Sequence, residues 1–429
     1  MLILAPDTAI YARLAFRTII LATGLGSGSH CFVSPPHQDQ FHLINKEPNH
    51  IDIIWIGFIG NQIIKEDMNI IVTILIYAIP LAFAMRAIIL AIALIIDAII
   101  GEPDILWRYL PHPVVLFGRM INIFSTSWCS SRATGYGRRI YGVIAIFLLV
   151  VIAALIGAGL AALGRIAGEC IHDDLWDGLW GGLSGELWPV IIMETVIVTI
   201  LLAGRSLDQH VRQVANALTN AATDDDLTAA RHAVSMIVGR NPDQLDAPAI
   251  CRASIETTAE NLSDGVVAPA CYYLLFGLPG IIVYKMINTA DSMIGYKSAR
   301  WLAFGWGAAR LDDLANLIPA RLTGGLIVLA AILPRPYIAW RAMRIMWRDA
   351  GYHRSPNAGW PEAAMAGALN IGLAGPRKYG ARMSTDAPLN PAGRIADHKD
   401  IYAALGYLWR VTAIMIMGLL AIGLWHISW

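Results

Sequence analysis

Acids, amides and bases crowd residues 240–297, a stretch whose flanks are apolar enough for a membrane. It reads RNPDQLDAPAICRASIETTAENLSDGVVAP and then YKMINTADSMIGYK. Desolvating ionisable groups beside hydrocarbon is costly, so their density here calls for a chemical reason. Glu256 and Glu260 are the clearest pair, because a spacing of four puts both carboxylates on one face of a helix. Such a face suits a shared proton or a metal ion. Asn261 and Asp264 follow on the same segment, with Arg240 and Asp246 before it. The alternative reading is a solvated helix face, which the Ala-rich flanks oppose.

Four further clusters carry polar chemistry. Lys285, Asn288, Asp291, Ser292, Lys297 and Arg300 combine an amide and a carboxylate three apart with cations suited to phosphate or carboxylate, or else form surface ion pairs. Arg310 opens RLDDLAN, in which Asp312, Asp313 and Asn316 offer hard oxygen ligands for Mg²⁺, unless the acids only complement a helix start. Asn357, Trp360 and Glu362 lie in SPNAGWPEAAMAG, a flat apolar platform with polar edges, or a helix cap. His112 and Arg119 stand in a Pro-stiffened turn after Gly101-Glu102-Pro103, where a lone imidazole is more often structural than catalytic.

The elements that must position these groups are membrane helices. Of 429 residues, 56% are hydrophobic and 15% charged, there are 14 Trp, and the mean hydropathy is +0.54, which points to an all-α polytopic helix bundle. Crossing about 30 Å of hydrocarbon takes roughly 20 apolar residues. Residues 70–100 (interrupted by Pro80 and Arg86), 140–163, 187–203 and 411–425 qualify or come close. Asp97 and Glu194 lie inside these runs, each either lining a site or holding structure together. Residues 266–286 break at Gly277-Leu278-Pro279-Gly280 into halves too short to cross singly, which predicts a re-entrant helical hairpin. Residues 324–333 are a second short apolar segment, ending at Pro334 and Pro336.

Loop charge sets the expected orientation. Residues 101–139 carry Arg108, Arg119, Arg132, Arg138 and Arg139, whereas 164–186 hold one Arg against Glu169, Asp173, Asp174, Asp177 and Glu186. The first loop is then cytoplasmic and the second external, which brings 204–264 and 285–321 to the cytoplasmic side, with the dense motifs in helices and loops there.

Lys+Arg and Asp+Glu balance at 32 each, so no basic surplus suggests a nucleic-acid partner. The five cysteines are scattered, against a zinc site or a disulfide framework. GxxxxGK[ST], GxGxxG after a strand, HExxH and GxSxG in a strand context are absent, so a nucleotide would bind without a P-loop. Residues 1–67 read as a loop-like extension without signal-peptide features, with Met68 or Met85 as an alternative start. Residues 68–429 then form a single membrane domain, and deleting 1–67 is expected to leave activity intact.

In order, DAIIGEPD, PHPVVLFGR, GRNPDQLD, ETTAENLSDGVVAP, YKMINTADSMIGYK, FGWGAARLDDLANLIPARLT and SPNAGWPEAAMAGAL resemble the adenosylcobinamide-phosphate synthase family of cobalamin biosynthesis, over residues 87–429. The resemblance implies an inner-membrane enzyme joining aminopropanol, or its phosphate, to a propionate carboxylate of adenosylcobyric acid with ATP and Mg²⁺. It implies Glu256, Glu260, Asp291 and Lys297 as catalytic groups and Asp312, Asp313 and Asn316 as metal ligands. His112, Arg119, Arg240, Asn261, Asn288, Arg300, Arg310, Asn357, Trp360 and Glu362 would bind substrate. Membrane lipid and other late cobalamin-pathway enzymes are the expected partners. Rival readings are a Mg²⁺-dependent prenyl or phosphatidyl transferase, and a corrinoid transporter.

Overall fold

The computed structural model describes residues 79–101, 107–109, 111–129, 135–170, 187–221, 226–238, 245–296, 298, 300–375, 378–379, 382–383 and 386–427. The extension 1–67, the segment 171–186, Glu102, Arg240 and Lys297 lie outside them. The chain divides into two units, Met1–Met85 with Gly423–Trp429, and Arg86–Ile422. The second holds the candidate site.

Helices dominate. In chain order they are α1 (Ile79–Ile99), α2 (Pro113–Trp128), α3 (Gly135–Cys170), α4 (Leu187–Leu201), α5 (Gly204–Asn220), α6 (Thr228–Ser235), α7 (Ala247–Leu262), α8 (Ala268–Ile294), α9 (Trp306–Ala315), α10 (Leu317–Ala330), α11 (Pro336–Asp349), α12 (Gly359–Leu369) and α13 (His398–Ile427). A π-turn, Ser263–Val267, joins α7 to α8 without a loop. The strands are two-residue pairs, antiparallel β1 (Leu373–Ala374) with β4 (Pro388–Leu389) and β2 (Lys378–Tyr379) with β3 (Arg382–Met383). The expected all-α membrane bundle is what the chain forms.

Among the described residues five helical stretches are long and apolar enough to cross a membrane: Pro80–Ile99, Gly135–Gly168, Leu187–Asn220, Ala247–Ile294 and His398–His426. A sixth arises if α9 and α10, bent by 45°, count as one span. The short segment expected at 324–333 is therefore the end of a longer broken unit. Pro80 does not interrupt its run, since it is the second residue of α1, where a missing N–H costs nothing. In α3, α4 and α8, Ile146, Leu149, Val198, Leu278 and Ile281 are buried in one core.

The predicted break at Gly277 is present. Its φ of +66° and ψ of −152° are open to glycine and strained for other residues. Arg86 donates to the Leu275 carbonyl at 2.9 Å, satisfying backbone that the break frees. Gly157 of α3 fits against the break, and a Cβ there would fall 2.5 Å from Pro279 Cα. Replacing Gly277 by alanine is expected to destabilise the protein by about 1–3 kcal/mol, measured as a lowered midpoint of thermal unfolding in detergent.

The two intramembrane carboxylates take structural roles. Asp97 Oδ2 accepts the Gly204 N–H at 3.1 Å at the start of α5, and Glu194 accepts from the Tyr273 hydroxyl. Each satisfies a buried polar partner, which is what makes an acid tolerable there.

Asp349 anchors the C-terminal end of α11. Its carboxylate takes Arg348 Nε at 2.6 Å and the Asn390 N–H at 2.7 Å, and Asn390 sits in the left-handed region at φ +50°. Burial opposes the charge, but hydrogen bonds from Arg348 and Asn390 and the charge of Arg348 outweigh it and hold the carboxyl below its usual range. A lowered folded value gives stability that is complete above the unfolded value of about 3.9 and lost as pH falls through the folded one. Wild type is therefore expected to lose stability below about pH 4 relative to Asp349→Asn, read from unfolding midpoints across pH; parallel curves would refute this.

Candidate active site

The site is built on α7, the π-turn and the two arms of α8, which fold back at Gly277 as the expected helical hairpin, so that Tyr272 stacks on Tyr284 and the Tyr284 hydroxyl reaches the Asp264 carbonyl twenty residues before it. Asp246 starts it by accepting the Ala249 N–H at 2.8 Å, with Pro248 in the first turn. The π-turn then inserts extra backbone, which shifts the phase of the residues beyond it and recurs at functional sites. The phase shift matters for Asp264, which lies within electrostatic reach of Asp312, Glu260, Lys285 and Asp291. Carboxylates and one lysine, the 7% exposed Lys285, thus gather around Asp264.

Asp312, at the end of α9, is the best-held member. Asn316 Nδ2 donates to its Oδ2 at 3.0 Å and Asn288 Nδ2 approaches its Oδ1 at 3.5 Å. Asn316 is itself fixed, since the fully buried Tyr284 places its hydroxyl 2.9 Å from Asn316 Oδ1 and 3.2 Å from the Asp264 carbonyl. Tyr272 stacks on Tyr284 at 5.0 Å and donates to the Ala315 carbonyl at 3.1 Å, closing that wall. Two amides therefore orient one carboxylate, and a phenol orients the amide.

A second chain of contacts ties the Asp-Asp helix to the SPNAGWPE loop. Asp313 pairs with Arg310 at 3.1 Å through its side chain, while its carbonyl accepts Asn357 Nδ2 at 2.7 Å. Asn357 Oδ1 lies 3.3 Å from Arg321 Nη1, and the Arg321 guanidinium sits 4.7 Å from the centre of the Trp360 ring. Trp360 is thus no bare platform, because Arg321 covers one face and Trp347 meets it edge-on at 5.2 Å. Ser355 Oγ accepts the N–H groups of Asn357 and Ala358, which fixes the loop ahead of α12, whose own start has no side-chain cap, contrary to the plainer reading. Glu362, 3% exposed, has His353 Nε2 at 3.7 Å.

The remaining predicted residues separate. Glu256 and Glu260 share a face of α7, yet Glu256 is buried and accepts the Ala374 N–H of β1 at 2.7 Å, while Glu260 is exposed and contributes to the field at Asp264. Ala374 has φ +54°, so Glu256 pins a strained strand. Asn261 is exposed, its amide turned back to the Thr257 carbonyl at 3.0 Å. Asp291 stands in the field of Asp312 and Asp313. His112 accepts the Val114 N–H at 3.2 Å as the N-cap of α2 and meets Trp107 edge-on at 4.5 Å. Arg119 is exposed on α2, and Arg300 lies over Trp301 at 4.3 Å. Tyr284 and Arg321 are the groups that sequence reading left without a role, whereas Asp264 and Lys285 were named in their clusters. Lys285 had a signal, a lone cation inside GIIVYKMI.

Among the described residues no three His, Cys, Asp or Glu side chains stand ready to hold a metal ion. Mg²⁺ needs no such cage, since one or two carboxylates, waters and a substrate phosphate suffice. The carboxylates that gather near Asp264 fit that mode, with Asp312 and Asp291 within reach of one another's charge, whereas Asp313 is engaged by Arg310 and Asn316 by Asp312. Cys129, Cys251 and Cys271, the cysteines among the described residues whose state is defined, are free.

A family model described as CobD/CbiB protein matches residues 90–408. The chain belongs to the CobD/CbiB family. Relatives named cobalamin biosynthesis protein CobD include one from a Sinorhizobium species, 46% identical over 338 residues, which cover 78% of this chain and 98% of that one. Another, from Brucella suis biovar 1, is 47% identical over 333 residues, 77% of this chain and 95% of the relative. A third, from Rhodobacter capsulatus, is 42% identical over 341 residues, 79% and 98% of the two chains. No solved structure matches. The family match covers the whole helical run and both Asp312 and Trp360, so the site described above is family territory.

Proposed function

We propose that the chain is the cobalamin-pathway synthase that condenses aminopropanol, or its phosphate, with a propionate carboxylate of adenosylcobyric acid. The shared name of the relatives supports a role in that pathway. The observation that carries the reaction is the gathering of Glu260, Lys285, Asp291 and Asp312 within electrostatic reach of Asp264, with amides orienting Asp312. An ionised carboxylate is a poor acyl donor. Its oxygen therefore first attacks the terminal phosphorus of ATP, forming an acyl phosphate and releasing ADP. The amine nitrogen then attacks the acyl carbon, the C–N bond forms, and the C–O bond to phosphate breaks. Bound Mg²⁺ would supply charge neutralisation at the transferring phosphoryl oxygens.

The chain's own residues supply the rest. Asp312 and Asp291 would hold the ion, Lys285 would meet developing phosphoryl charge, and Arg310 stands at the cluster's edge for anionic substrate. Glu260, exposed beside Asp264, is placed to take the proton that the attacking ammonium must lose. The excess of arginine in the loop holding Arg119, Arg138 and Arg139 supports an inner-membrane protein with this site on the cytoplasmic side.

Full-length protein in detergent, given adenosylcobyric acid, aminopropanol phosphate, ATP and Mg²⁺, is expected to give one condensed product by mass spectrometry with one ADP and one phosphate released. Product from a prenyl or phosphatidyl donor instead, or none without a lipid donor, would favour the Mg²⁺-dependent transferase that the Asp-Asp-Leu-Ala-Asn run also suits.

A further inference from the structure

Beside the acidic cluster, α10, α11 and the start of α12 enclose a cavity of about 520 Å³, a size within the usual small-molecule range of about 300–1,000 Å³. Its walls are Val328, Met343, Met346, Trp347 and Trp360, and its one charged lining group is Arg321. A lone cation in an apolar cavity matches a ligand with one anionic group and a long apolar body. The surfaces on either side say where such a ligand comes from. α10 presents Ile318, Leu322 and Leu329 outward at 74, 43 and 46% exposure, a hydrocarbon-type surface. α11 presents Tyr337, Trp340 and Trp347 outward, at 57, 63 and 68%, alternating with the exposed Arg344 and Arg348. Aromatics mixed with arginines characterise the level of lipid headgroups. The cavity lies where these two surfaces meet.

We propose that this cavity is a phospholipid site, taking an acyl chain against Val328, Met343 and Met346 and an anionic headgroup phosphate at Arg321. Attraction of the phosphate to the guanidinium, and apolar burial of the chain, act together. The site is wired to the acidic cluster, because Arg321 bonds Asn357 and Asn357 holds the Asp313 carbonyl. Lipid at Arg321 would thus brace the helix that carries Asp312.

Gly325 allows a clean test. It lines the cavity, and a Cβ built there meets nothing within 4 Å, so leucine fits the fold while filling the space. Full-length protein is loaded into mixed micelles of phosphatidylglycerol and phosphatidylcholine without any substrate, and bound lipid is counted by native mass spectrometry. Wild type is expected to retain phosphatidylglycerol preferentially, Arg321→Gln to retain about fivefold less, and Gly325→Leu to lose the tightest lipid. Equal retention of the two lipids by wild type, or an unchanged lipid count in Gly325→Leu, would overturn the proposal. So would adenosylcobyric acid binding that Gly325→Leu abolishes while lipid retention stays intact, which would make the cavity a corrinoid seat. Because retention is read without turnover, failure here leaves the proposed reaction standing.

Discussion

Asp312→Ala is expected to lower turnover roughly a thousandfold or more, the scale of losing a preorganised electrostatic group at a transferring phosphoryl centre. The structure gives the reason in steps. Asn316 and Asn288 are spent on orienting this carboxylate, and the buried Tyr284 is spent on orienting Asn316. Such layered support is wasted on a surface acid. Removing the carboxylate relieves repulsion among Asp264, Asp291 and Asp312, so the variant should be at least as stable as wild type. Single-turnover assays with thermal unfolding alongside check both halves. Near-normal turnover, or a loss matched by unfolding, would remove Asp312 from the reaction.

Glu260→Gln is expected to cut turnover by about a hundred- to ten-thousandfold, the range for losing a general base, while leaving membrane insertion and stability unchanged. Glu256→Ala should behave in the opposite way. It strands the Ala374 N–H and opens space under β1, costing about 1–3 kcal/mol of stability, with turnover per folded molecule largely kept. The pair distinguishes a reacting carboxylate from a structural one. Equal losses in both variants, or normal turnover in Glu260→Gln, would refute the division of labour.

That division shows what could be read from the sequence. Spacing correctly puts Glu256 and Glu260 on one face of a helix, but it carries no information about β1, whose Ala374 lies 118 residues away and takes the first carboxylate. The membrane class, the break at Gly277 and the alliance of RLDDLAN with SPNAGWPE were legible, because composition, a Gly-Pro interruption and clustered polar residues are local signals. Span limits were less so. Pro80 reads as an interruption until its place at a helix start is known, and the direct join of α7 to the hairpin of α8 was not legible because a π-turn has no sequence signature of its own. Arg321 went unassigned for the opposite reason: a single arginine in IPARLT gains meaning only from Asn357 and Trp360, which the fold brings to it.

The run from α7 through α8 delivers Glu260, Asp264, Lys285 and Asp291 on one piece of chain, but Asp312 and its clamp at Asn316 arrive on the next, and Asn357 later still. During synthesis the acidic residues therefore enter the bilayer machinery before the groups that orient them have left the ribosome. A nascent chain stalled ahead of α12 would hold an unfinished, electrostatically crowded half-site, lacking the Asn357 tie between the Asp313 carbonyl and Arg321.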